Sequence, residues 1–254
     1  MNTKTYFQNN NTAIILSFLA VLSFVYIILF EFILPANGIL PKPSILIESI
    51  ASLYKHYDFL AAYAFTTSII YVALFTGYYL IKIFRNWALF FTEGFSNIVN
   101  LLAINKYFLT ISLVFIFHFW FSDNLIGEFI LALILVVGNL KIQYFEEFFK
   151  VKKEYLDAAR SLKISNDKKN SIIWKSIQPR LFSSLNASHF SLWTILIFYE
   201  YVNGTNGIGS IFRLSIKYND FSIVVLLVII ISITLWLSTL LLNIIKEKFF
   251  FWEN

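Results

Sequence analysis

The sequence predicts an all-α polytopic membrane protein: a single domain over residues 1–254 with six transmembrane helices and one long cytoplasmic two-helix segment. Three observations predict it. Hydrophobic residues make up 58% of the chain and charged residues only 14%, where a soluble domain carries about 25% charged. The apolar residues fall in runs long enough to cross a bilayer. The basic residues are bunched between two of those runs. A soluble fold of this size keeps much of its surface wet and has nowhere to hide 29 Phe, 14 Tyr and 6 Trp; lipid removes that constraint.

A span needs about 20 mostly apolar residues. The first expected span is 13–34, interrupted only by Glu31 near its end. Its apolar run, Ala13 to Phe30, is longer than the core of a usual secretory signal and has no small-residue cleavage pattern after it, so it reads as a retained helix. The second, 59–81, has no charge. The third, 104–121, has a short apolar part, with a more polar stretch from Trp87 to Asn105 leading into it. The fourth is 125–145, with Glu128 and Lys141 near its ends, the fifth 181–200, and the sixth 221–245. Backbone facing lipid must satisfy its own hydrogen bonds, so these runs are expected as helices. Their length and lack of strict alternation argue against a β-barrel.

Orientation follows the basic residues. Ten of the twenty Lys and Arg lie from Lys141, near the end of the fourth run, to Arg180. Lys82, Arg85, Lys246 and Lys248 fall on the same side, against Lys42, Lys55, Arg213 and Lys217 on the other. This places both termini in the cytoplasm of a multi-pass membrane protein.

Several function classes drop out. Without cysteine there is no disulfide or thiolate metal site. His56, His118 and His189 are too widely spaced to suggest a ligand cluster, so no metal is expected. The net charge of +5 lacks an aromatic–basic groove pattern, and no nucleic-acid partner is expected. There is no phosphate-binding Gly-rich loop, no paired carboxylates within a span and no HExxH motif, so no enzyme activity and no cofactor of its own are expected.

The segment 146–180 reads as helix, turn, helix. Phe148, Val151, Tyr155, Ala158 and Leu162 recur at helical spacing. Ser165 is a good N-cap for a second helix, which carries Ile172, Ile173 and Ile177, and Pro179 is expected to break it before the fifth span.

Asp157-Ala158-Ala159, then Ser165 and a second helix closing on Ile177 and Pro179, resembles the coupling loop of the permease subunits of ABC importers. That loop reads Glu-Ala-Ala, three residues, Gly, about nine residues, then Ile-x-Leu-Pro; here Asp157 stands for Glu and Lys163 for Gly. Leu40-Pro41-Lys42-Pro43-Ser44, and Glu200 followed by Gly207-Ile208-Gly209, are similar to patterns of the permeases for sulfonates, taurine, nitrate and vitamin precursors. The entry to the third span, at Lys106-Tyr107, lacks the prolines usual in that group. The resemblance implies a membrane-spanning permease that forms the translocation pathway for a small anion such as a sulfonate or nitrate, or for a vitamin precursor. It implies ATP bound by a separate ATPase subunit docked on the loop of Asp157, Ala158, Ala159, Arg160, Lys163, Ser165 and Pro179, an extracytoplasmic solute-binding protein, and a second permease copy, as a homodimer.

Each singled-out residue has a plainer reading. Asp157, Arg160 and Lys163 either meet the ATPase or belong to solvated helix faces. Glu200, at the outer end of the fifth span, with Gly207 and Gly209, shapes a gate, or Glu200 merely reaches water, or it pairs with a base such as Arg213. His189 faces the path or is a hydrogen-bonded core residue, and His118 reads as packing. A competing reading is a structural or assembly membrane protein whose basic loop docks another partner.

Overall fold

The computed structural model describes residues 17–18, 20–34, 40–93, 106–121, 125–150, 161–162, 166–204 and 206–250. Every regular element among them is helical. In chain order they are α1 (Ala20–Ile33), α2 (Pro43–His56), α3 (Phe59–Glu93), α4 (Lys106–Trp120), α5 (Leu125–Lys150), α6 (Asn166–Asn203), α7 (Gly207–Lys217) and α8 (Phe221–Phe249). Four stretches are long and apolar enough to cross a membrane: Phe59–Phe84, Leu125–Phe148, Ser171–Asn203 and Phe221–Phe249. Ala20–Ile33 and Thr110–Trp120 are apolar but shorter; the expected spans 13–34 and 104–121 run partly outside the described residues.

Two compact units divide the chain. One comprises the residues up to Asp58 together with Leu214–Ile231. In it, the last turns of α1, Ile28–Ile33, are wound as a π-helix. Glu31 on that turn accepts the Ser44 backbone N–H at 3.2 Å, so the one charge in an apolar run caps the start of α2, where Pro43 takes the first helical position. The Tyr26 hydroxyl donates to the Pro41 carbonyl at 2.6 Å. At the start of α8, Asp220 accepts from the Ser222 hydroxyl at 2.6 Å and from the Ile223 backbone N–H at 3.4 Å, a side-chain N-cap. Tyr57 donates to the other Asp220 oxygen at 3.4 Å. Burial pushes the Tyr57 hydroxyl above the usual phenol range, so it keeps its proton for that bond.

The second unit comprises Phe59–Arg213 and the residues from Ser232 onward. Helices α3, α5 and α6 pack on one another. Ile70, Ala73 and Leu74 of α3, Leu131, Ala132, Val136 and Leu140 of α5, and Leu185, Leu192, Trp193 and Leu196 of α6 are buried. In lipid, close fit rather than exclusion of water holds such helices together, and small residues set how near they come. Gly77 does so here: a Cβ on it would lie 2.5 Å from a Val136 methyl. The outer faces are as apolar as the core, with Val72, Phe75, Ile134 and Phe190 exposed.

Pro179 does not break the chain between a second loop helix and the fifth span. It lies inside α6, which runs unbroken for 38 residues from Asn166 to Asn203. Tertiary packing overrides the local preference. Trp174, Ile177, Leu181 and Phe182, on both sides of the proline, are buried. Gln178 donates to the Tyr78 hydroxyl at 2.9 Å, and Arg180 pairs with Glu147 of α5 at 2.6 Å. The second half of the expected two-helix segment is therefore continuous with the helix that holds the fifth apolar run. Of its first half, residues 146–150 continue α5, while Asp157, Ala158, Ala159 and Arg160, and the turn with Lys163 and Ser165, lie outside the described residues.

Candidate functional site

The sequence pattern Glu200…Gly207-Ile208-Gly209 folds into a buried corner within the second unit. Helix α6 ends at Asn203, and Gly204 follows with φ +73°, donating its N–H to the Glu200 carbonyl at 2.7 Å. A left-handed glycine closing the last turn is a common helix stop. Gly207, with φ +80°, opens α7. The Glu200 side chain turns back over that start. Its Oε2 accepts the Gly209 backbone N–H at 2.8 Å, and its Oε1 accepts the Thr66 hydroxyl of α3 at 2.6 Å. Thr66 Oγ1 in turn accepts the Ile208 backbone N–H at 3.0 Å. A carboxylate thus sits on the free N–H groups of a helix N-terminus, directly and through one hydroxyl.

The glycines make this possible by absence. A Cβ on Gly207 would strike the Glu200 carboxyl, and one on Gly209 would strike the Ile197 carbonyl and lie 2.6 Å from the Glu200 Cβ. Arg213 is not the partner of Glu200; it donates to the Val202 carbonyl at 3.0 Å and covers Gly204.

Glu128, on the first turn of α5, is a second buried carboxyl in this unit, and its Oε1 has no hydrogen-bond partner among the described residues. Glu200 is 1% exposed, Glu128 5% and Thr66 0%, so the corner is sealed. In the sequence Glu128 reads only as a charge near a span end, and Thr66 does not stand out. The available signals were a lone acid at the start of an apolar helix and a Thr-Thr-Ser run inside an otherwise uncharged one.

A second polar feature lies in the same unit. Tyr63, Thr67 and Tyr71 recur every fourth residue on α3, next to Ser68, and face Thr234 and Ser238 of α8 across a groove of about 530 Å³. Tyr63 and Thr234 share a hydrogen bond at 2.9 Å. Ser238 donates to the Thr234 carbonyl at 2.7 Å, which leaves its oxygen to accept from Tyr71. His189 stands behind Tyr71, fully buried, with its Nε2 3.3 Å from the Tyr71 hydroxyl. The Trp193 indole N–H can only donate, and it reaches His189 Nε2 at 3.0 Å. That leaves the ring proton on Nδ1 and the imidazole uncharged. His118 hydrogen-bonds Asn203 at the end of α6. No group of three metal-ligating side chains occurs among the described residues.

Of the residues singled out from sequence, Glu200, Gly207 and Gly209 come together in the corner, His189 lies behind the groove wall, and Pro179 sits in the α6 extension. In comparisons with family models, curated proteins and solved structures, nothing matches the chain.

Proposed function

We propose that this chain is the membrane-spanning permease subunit of an ATP-binding-cassette importer for a small solute. On this reading it has six spans and both termini in the cytoplasm. It pairs with a second copy, takes solute from an extracytoplasmic binding protein, and is driven by a separate ATPase docked on the segment around Asp157-Ala158-Ala159. What carries the reading is the corner of Glu200, Gly207 and Gly209. The residues of a permease-like pattern are the ones whose chemistry the corner needs: a carboxylate for the helix N-terminus and two positions where a side chain would collide with it. The continuity of α6 also supports it, since one unbroken helix joins the basic cytoplasmic stretch to that corner. Movement of a docked ATPase would reach the far side of the membrane through a rod rather than a hinge.

The test is purification of the full chain from its native membrane. An ATPase subunit is expected to come down with it, and Ala159→Trp is expected to insert normally yet lose that subunit or its solute-stimulated hydrolysis, because overpacking a close contact costs about 1–3 kcal/mol. An inserted Ala159→Trp variant that keeps wild-type ATPase binding and transport would refute the coupling role. A partner that is not an ATPase would favour the assembly-protein reading.

A further inference from the structure

We propose that α2 is an interfacial helix, lying along the membrane boundary with the ridge of Ile47, Ile50 and Tyr54 set among lipid chains; this rests on the membrane-crossing helices and not on the transport reading. Two observations carry it: where α2 is tied, and how its surface is divided. With 14 residues, α2 is about 21 Å long, too short to cross. Its ties run along its whole length. Ser44, in the first turn, donates its backbone N–H to Glu31 on the last turns of α1 at 3.2 Å. Ser49, near the middle, donates its hydroxyl to that of Ser222 on the first turn of α8 at 2.8 Å. Tyr57, the residue after the helix, donates to Asp220, the cap of α8, at 3.4 Å. Asp220 and Ser222 stand at the start of the apolar stretch Phe221–Phe249, the level at which membrane-crossing chain gives way to polar chain. A helix held at its beginning, middle and end to the ends of two apolar helices follows that boundary.

The surface of α2 has three sides, each at helical spacing. Ser49 and Leu53 are buried. Ser44, Glu48 and Lys55 are polar and exposed. Ile47, Ile50 and Tyr54 are apolar or aromatic and exposed too, Ile47 at 70%. A helix with water on both open sides carries polar residues on both. This one sorts them, as interfacial helices do, which sink an apolar face roughly 5–10 Å into the boundary and keep the charges in water. Lys42 at the N-cap and Lys55 in the last turn have stems long enough to reach water from that depth, and a tyrosine at the end of the ridge suits the same level. The ridge also continues an apolar surface. Helix α2 packs beside the last turns of α1, where Phe32 and Ile33 are exposed. Lipid that covers those side chains extends over Ile47 and Ile50 without a break, which commits the ridge to the bilayer rather than to a soluble partner.

The chain has no cysteine, so a single nitroxide label can report each side of α2. Ile47→Cys, Ile50→Cys and Glu48→Cys are made in the full chain, labelled, and reconstituted in vesicles of phosphatidylcholine and phosphatidylglycerol. All three replace exposed side chains, which the fold tolerates. Power-saturation EPR then measures collisions with oxygen, which concentrates in lipid, and with a neutral nickel chelate, which stays in water. The oxygen-to-nickel ratio at 47 and 50 is expected to be at least about threefold above that at 48, and closer to that of Ile134→Cys on the outer face of α5. A smaller difference, with frequent nickel collisions at 47 and 50, would place the ridge in water and overturn the proposal. Infrequent collisions with both reagents, whatever their ratio, would show a second copy or another protein surface over the ridge and overturn it equally.

Discussion

At the scale of single residues, the corner around Glu200 shows why this glutamate and the glycines at 207 and 209 stand at this spacing. Glu200 needs donors, α7 offers the free N–H groups of its first turn, and the carboxylate reaches them only if positions 207 and 209 carry no Cβ. Gly209→Ala is therefore expected to lower the unfolding midpoint of the purified protein, by the equivalent of about 1–3 kcal/mol of overpacking. Gly207→Ala should cost more, since the left-handed backbone adds its own penalty of about 1–2 kcal/mol. Gly138→Ala is the control: a Cβ there meets nothing within 4 Å. It should leave the midpoint unchanged or raised. Equal effects at 138 and 209 would show that the corner is loosely packed. The acidic residue and the two glycines were legible in the sequence because their spacing is local. Thr66 and Glu128 were not, because 134 residues separate Thr66 from the carboxylate it serves, and nothing local marks such a partner.

Elements were legible to the extent that hydropathy reports membrane depth. The expected windows 59–81, 125–145 and 221–245 fall inside α3, α5 and α8. The window 181–200 caught only the apolar part of α6. The helix begins at Asn166, in a stretch whose polar residues suit water, and a proline inside it read as a stop. What the sequence could not convey is that Trp174, Ile177, Leu181 and Phe182 pack on both sides of that proline. The surroundings rather than the local sequence keep α6 helical through Pro179, and the proline, which has no N–H, costs the helix a hydrogen bond. Pro179→Ala restores an N–H donor to the ladder and is expected to raise the unfolding midpoint, with an upper limit of about 3 kcal/mol from propensity alone. Its helical content by circular dichroism should stay unchanged. A lowered midpoint, or a gain of helix, would mean that the chain does break at this position and that α6 is two helices joined by a turn.

For the molecule as a whole, the question is which way it sits in the membrane, and α6 turns that into a question about two ends of one rod. Its 38 residues span about 57 Å at 1.5 Å per residue, nearly twice the roughly 30 Å of a hydrocarbon core. If Ser171–Asn203 crosses the membrane, Lys168 and Asn206 lie on opposite sides of it. On the proposed topology the Lys168 side, where basic residues concentrate between Lys141 and Arg180, is the cytoplasmic one. The Glu200 corner would then lie at the outer face, where a solute would be delivered. Lys168 is exposed, as is Asn206. In sealed, right-side-out vesicles, a membrane-impermeant thiol reagent is expected to modify Asn206→Cys and to leave Lys168→Cys untouched until the vesicles are opened. The reverse pattern would invert the orientation, putting the basic stretch outside and out of reach of a cytoplasmic ATPase. Modification of both from outside would mean that α6 does not cross at all; the long basic segment would then be an external surface, and the permease reading would fall with the topology that supports it.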